Sequence, residues 1–171
     1  GGRFVLGLGA GDAEAEHRYL GVQYAGRVGR FEEAVAIIRT LLAGETVAHD
    51  GDYYRVDGAV LTTRGPRPAG PPLLIGSLGT GPRMLRLVAQ YADVWNGFLA
   101  YGRSWPDALP PLRAAVDAAC ARHGRDPATL ERTVAVAIGV RGQRPRFGEG
   151  IVGTPDEIAG ALRAVALGGG S

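Results

Sequence analysis

Three short segments combine glycine with polar side chains in ways that could do chemistry. The first is Gly7-Leu8-Gly9-Ala10-Gly11-Asp12, followed closely by Glu16 and His17. Glycines after an apolar run let a flat ring or a phosphate come close to the backbone. Glu16 and His17 are acid/base groups by type, although such a pair on a surface helix is more often simply solvated. The segment is not a dinucleotide fingerprint. Counted from Gly7, the third glycine of G-x-G-x-x-G falls on Asp12, and counted from Gly9 it falls on Glu14. Taken alone, the segment is best read as a tight turn.

The second segment is Gly76-Ser77-Leu78-Gly79-Thr80-Gly81-Pro82-Arg83, between a strand-like run and a helix start. Free backbone N–H groups and the helix dipole favour an anion there. Ser77 and Thr80 add hydroxyl donors and Arg83 adds a charge. A glycine-rich turn with Arg83 in solvent accounts for the same residues equally well. The third segment is Asp93-Val94-Trp95-Asn96-Gly97-Phe98. Asn96 suits a polar contact at a strand end, whereas a tryptophan such as Trp95 is usually a core ring. Asp50, Asp52, Tyr53 and Tyr54 read as residues that pack a hairpin.

The elements that must position these segments alternate. Residues 4–8 are short, apolar and glycine-bounded, as a strand buried on both faces would be. Residues 14–20 form a short helix closed by Gly21. Residues 27–42 form the best helix, with Val28, Phe31, Val35, Ile38 and Leu42 on one stripe and Gly44 at the left-handed C-cap. Residues 47–49 and 53–56 make a hairpin, with Asp50-Gly51 supplying the positive φ of a tight turn. Residues 57–72 are irregular and rich in Pro and Gly. Then come a strand at 73–75, a helix at 82–91, a strand at 94–95, a helix at about 110–123 and a helical turn from Asp126-Pro127. Residues 133–140 are the clearest buried strand. Thr154-Pro155-Asp156-Glu157 opens the last helix as a capping box. Strand–helix alternation, four times over with an inserted hairpin, implies a parallel sheet covered by helices. All strand C-terminal ends then lie on one face, where the three segments converge.

Composition narrows the chemistry. The 171 residues suit one domain with a sizeable core. All 19 basic residues are Arg, so chemistry needing an amine is excluded. The single Cys120 excludes an internal disulfide and a cysteine-based zinc cluster, and no metal site is expected. A net charge of +2, with arginines interleaved among 17 acids, argues against a nucleic-acid groove. No apolar run approaches the ~20 residues of a membrane span, and no signal peptide is visible. A cytoplasmic location with a small-molecule partner follows as the expectation; a homo-oligomer is allowed.

Taken in order, several runs resemble the luciferase-like monooxygenase superfamily of flavin- and deazaflavin-dependent oxidoreductases. They are Gly2-Arg-Phe-Val-Leu-Gly-Leu-Gly-Ala-Gly11 with Glu16-His17, and Arg30-Phe-Glu-Glu-Ala-Val-Ala-Ile-Ile-Arg39 with Asp50-Gly-Asp-Tyr-Tyr-Arg55. Pro71-Pro-Leu-Leu-Ile-Gly76 and Tyr91-Ala-Asp-Val-Trp-Asn96 complete the set. The resemblance runs from Gly2 to about Ala166.

The resemblance implies a partial TIM (β/α)8 barrel, an α/β fold of about four parallel strand–helix units with the inserted hairpin. They match roughly the fourth to seventh units of the family barrel, over residues 1–167, with 168–171 as a flexible tail. The strands that would flank them lie outside this sequence, so the edges at 4–8 and 133–140 are expected to favour self-association. The implied activity uses reduced FMN or a deazaflavin to reduce or oxygenate a small organic substrate; the alternative is a non-catalytic half-barrel fragment or a phosphate-binding module. Ala10, Gly11 and Asp12 would lie beside the cofactor ring. Ser77, Leu78, Gly79, Thr80, Gly81 and Arg83 would hold its phosphate. Trp95, Asn96 and Phe98 would meet the substrate. Asp12 stands where many flavin-type relatives have Trp, and an acid there resembles the deazaflavin-dependent branch, with Asp12 as proton donor and His17 as a second acid/base group.

Overall fold

A computed structural model of the chain describes residues 2–77, 80–98, 109–140 and 150–167. Four strands form one parallel sheet in sequence order, β1 (Leu6–Leu8), β4 (Leu73–Ser77), β5 (Val94–Phe98) and β6 (Glu131–Ala135). The helices α1 (Glu14–Tyr19), α2 (Arg27–Ala43), α3 (Pro82–Tyr91) and α4 (Leu109–Arg122) lie between them in sequence, and α5 (Pro155–Leu167) follows. The inserted hairpin pairs β2 (Val47–Asp50) with β3 (Arg55–Ala59).

One face of the sheet makes the core. Leu73, Ile75 and Trp95 pack against Phe31 and Val35 of α2, Leu85 and Val88 of α3, and Leu112 and Val116 of α4. Each such side chain contributes roughly 1.5–3 kcal/mol when fully buried. Strand alternation puts Leu74, Gly76, Asn96 and Phe98 on the opposite face. Glycine ends α2 as expected: Gly44 has φ +75° and donates to Thr40 and Leu41 carbonyls. At α5, the Glu157 carboxylate accepts from the Thr154 N–H at 2.7 Å, and the Thr154 hydroxyl accepts from the Glu157 N–H at 3.4 Å.

Four expectations need correction. The first strand does not begin at Phe4 and is not buried on both faces: β1 starts at Leu6, and Phe4 and Val5 are exposed. Among the described residues it is an edge strand, with β4 as its partner in the sheet. Residues 133–140 are two strands rather than one. β6 stays with β5 as far as Phe98↔Ala135. β7 (Ile138–Val140) then pairs in parallel with β8 (Ile151–Gly153), leaving Ile138 and Val140 exposed. The apolar run contains no sign of that change of partner. The hairpin loop spans 51–54, with the Gly51 N–H donating to the Tyr54 carbonyl at 2.9 Å and no positive φ at Gly51. A carboxylate from α2 shapes this loop instead: Glu33 accepts the N–H groups of Asp52, Tyr53 and Tyr54, each at 3.0 Å. β3 also carries regular structure to Ala59, into the stretch expected to be irregular.

Candidate functional site

The C-terminal ends of β1, β4 and β5 lie side by side, because neighbouring parallel strands run the same way. Residues 9–13 leave β1 and lead into α1. Gly11 has φ +73°, and a Cβ there would lie 2.5 Å from Cε1 of His17. Glycine is therefore required for both conformation and space. His17 donates from Nδ1 to the Ala13 carbonyl at 3.1 Å, which leaves Nε2 as the acceptor of the neutral ring. Its ring meets Tyr24 edge-on at 5.1 Å. The Tyr24 hydroxyl donates to the Asp12 carbonyl at 3.1 Å, and Arg27 Nε donates to the Gly11 carbonyl at 2.9 Å. Ala10 is half-buried and Asp12 exposed.

Residues 77–81 connect β4 to α3. Ser77 is buried, and its hydroxyl accepts from Trp95 Nε1 at 2.9 Å. Leu78 and Gly79 lie outside the described residues. Thr80 and Gly81 are exposed. Gly81 is the N-cap of α3 and supplies no side-chain cap; Pro82 follows, and the first turn holds no acid. The first N–H groups of a helix lack intrahelical partners and sit at its positive dipole end. Arg83 Nε donates to Glu32 at 2.7 Å, and Arg86 shares the same carboxylate at 2.6 Å. The Arg86 hydrogen bond leads in holding the Glu32 carboxyl below its ordinary range; burial opposes it, and Arg83 adds to the lowering.

The β5 residues divide between the two faces. Trp95 is 1% exposed and sits between sheet and helices, so its ring belongs to the core and does not join Asn96 and Phe98 on the other face. Asn96 Oδ1 accepts from the Thr133 hydroxyl at 2.8 Å. Asn96 is paired in register with Gly76, whose absent Cβ would have nothing nearer than the Asn96 carbonyl at 4.0 Å. Gly9 and Gly81 likewise face open space. A flat ring over the Gly76–Asn96 ledge with an anion at the start of α3 fits these residues. Among the described residues no group of three or more His, Cys, Asp or Glu could hold a metal ion. No helix there is long and apolar enough to cross a membrane.

Sequence patterns did not single out Tyr24, Arg27, Glu32, Glu33 or Thr133. A signal existed for Arg27: an arginine at the first position of a helix opposes the dipole.

The family model described as luciferase-like monooxygenase matches residues 1–145. The chain is 38% identical over 125 residues to a 5,10-methylenetetrahydromethanopterin reductase of Archaeoglobus fulgidus, covering 73% of this chain and 35% of that protein. It is 32% identical over 169 residues to a phthiodiolone/phenolphthiodiolone dimycocerosates ketoreductase of Mycobacterium tuberculosis, covering 97% and 40%. Among solved structures, an F420-dependent secondary alcohol dehydrogenase with an F420-acetone adduct superposes with TM-score 0.67 at 26% identity, covering 81% and 41%. A monooxygenase from Streptomyces bottropensis gives TM-score 0.67 at 16% identity, covering 95% and 57%, a likeness of fold. The chain thus spans between 35% and 41% of the length of the two curated relatives and the dehydrogenase.

Proposed function

Because the chain belongs to the luciferase-like monooxygenase family, we propose that it carries the cofactor site of an oxidoreductase that uses a deazaflavin on a small organic substrate. The observation that carries this reading is the order of three features on adjacent parallel strands. An acid-bearing loop follows β1, a bare glycine ledge ends β4, and an uncapped, acid-free helix start follows it. The likeness to an F420-dependent dehydrogenase supports a deazaflavin over FMN.

A deazaflavin bound there supplies hydride transfer to or from a substrate carbon. Ser77, Leu78, Gly79, Thr80, Gly81 and Arg83 would bind its phosphate through N–H groups, hydroxyls and charge. Ala10 and Gly11 would lie against its ring. Asp12 would give a proton from its carboxyl to the substrate oxygen as a carbonyl is reduced, and take it back in the reverse direction. His17 Nε2 would be a second proton acceptor. Asn96 and Phe98 would border the substrate on the face opposite Trp95. We read the chain as a cytoplasmic enzyme with a small-molecule partner; the weak net charge argues against a nucleic-acid groove. The same reading allows a homo-oligomer and includes neither a nucleic-acid nor a membrane partner.

The test is a binding titration with F420 and with FMN, each oxidised and reduced. Tighter binding of F420 is expected. FMN bound more tightly in both redox states would overturn the cofactor choice, and binding of neither would overturn the site.

A further inference from the structure

The start of α2 departs from what an N-terminus needs. Its N-cap, Gly26, is left-handed at φ +72° and offers no side-chain cap. Its first turn holds Arg27 and Arg30 and no acid. Cations there oppose the macrodipole, and breaches of a local rule concentrate where another task is served. Arg30 is directed away to the Gln23 carbonyl. Arg27 donates to the Gly11 carbonyl at 2.9 Å, and its guanidinium stacks 4.0 Å from the centre of the Tyr24 ring. Tyr24 donates to the next carbonyl, that of Asp12, at 3.1 Å.

Two consecutive carbonyls of a glycine-rich loop are therefore held from one side by a stacked pair. In a planar trans peptide the N–H points opposite to the C=O. The N–H groups of Asp12 and Ala13 consequently face away from the pair. Without it, Gly9 and Gly11 leave the loop many conformations of similar energy. The His17 ring limits Gly11 from one further direction.

We propose that Arg27 and Tyr24 are positioning residues for Asp12, holding residues 9–13 in the one conformation that presents its carboxyl to the bound ring. This rests on the reading that the loop lies beside a cofactor ring. The pair touches neither cofactor nor substrate; it acts through the two carbonyls. Its removal should therefore alter what the ring senses more than how tightly the phosphate is held.

The test compares wild type, Arg27→Ala, Arg27→Lys, Tyr24→Phe and Asp12→Asn, with F420 as the probe. Arg27→Ala and Tyr24→Phe should unfold in denaturant close to wild type, since the two hydrogen bonds they lose are exposed. The spectrum of bound F420 in those two variants should move in the direction that Asp12→Asn moves it. Their F420 affinity should fall by less than about threefold. Arg27→Lys keeps a donor for the Gly11 carbonyl and should recover most of the wild-type spectrum. An unchanged spectrum, or a lysine variant no better than alanine, would overturn the positioning role while leaving the cofactor site standing. Failure of wild type to bind F420 would overturn both.

Discussion

The two ends of the four-stranded sheet are built differently: charges pair within the protein at both, but only the C-terminal end also carries bare glycines and an uncapped helix start. At the N-terminal end, charges are spent on the protein itself. Asp93 binds Arg39 through two hydrogen bonds at 2.9 and 3.2 Å and also accepts the Leu73 N–H at 2.8 Å. Arg125 donates to the carbonyls of Ala89 and Ala92 at 3.2 and 2.6 Å and to Thr129. Arg132 joins Asp117 and the Leu130 and Pro127 carbonyls, and only its Nε lacks an acceptor among the described residues. A cavity of about 440 Å³ opens there, but Arg39, Asp93 and Arg125 on its wall already have partners. At the C-terminal end, glycines replace side chains and α3 starts without a cap. In barrels of this type the N-terminal end serves stability and the C-terminal end serves chemistry.

Trp95→Ala should have the largest effect, since its ring spans the core and its Nε1 reaches Ser77 at the C-terminal end. A loss of about 3–5 kcal/mol is expected in denaturant unfolding. A loss under ~1 kcal/mol would mean that the ring is not the core anchor described. Asp93→Ala should cost about 1.5–3 kcal/mol, because it strands a backbone N–H and an arginine at once. F420 affinity should not change. A weaker affinity with intact folding would break the division between the two ends.

Gly79→Val should do the reverse. It should weaken phosphate-bearing cofactor about tenfold or more, close to 1.4 kcal/mol, while spectroscopic unfolding curves stay near wild type. Equal loss for a dephosphorylated analogue would remove the phosphate from this turn.

The division is partly legible in the sequence. The parallel order of the sheet follows from strand–helix alternation, and Gly44 and the Thr154–Glu157 box announced their helix ends. The split of residues 133–140 was not legible, because a strand's partner is decided by chain elsewhere. The hairpin loop was misread because Glu33, far away on α2, does what Asp50-Gly51 was expected to do. The Arg27–Tyr24 pair joins residues 12 to 16 positions from the carbonyls they hold, a spacing with no periodic signature.

The smallest expected effect belongs to the hairpin. Burial pushes the Glu33 carboxyl up, but the Tyr53 N–H, the His49 ring and the Tyr54 and Asp52 N–H groups outweigh it and hold the carboxyl below its ordinary 4.5. Its contribution to stability is complete above that value and is lost as pH falls through the lower folded one. Glu33→Gln should flatten the acid limb of a stability–pH curve slightly and raise amide exchange at residues 52–54. An unchanged acid limb would show that the carboxylate adds nothing there.

The central claim is that the C-terminal end of the sheet holds a phosphate-bearing ring cofactor and the N-terminal end does not. The most direct measurement is a calorimetric titration of the protein with F420 and with its dephosphorylated form, on wild type and on Asp93→Ala and Gly79→Val. The account predicts that F420 binds wild type and Asp93→Ala alike, about tenfold or more tighter than the dephosphorylated form, and that Gly79→Val abolishes this difference. Equal affinity for the two ligands in wild type, or a preference lost in Asp93→Ala and kept in Gly79→Val, would contradict it.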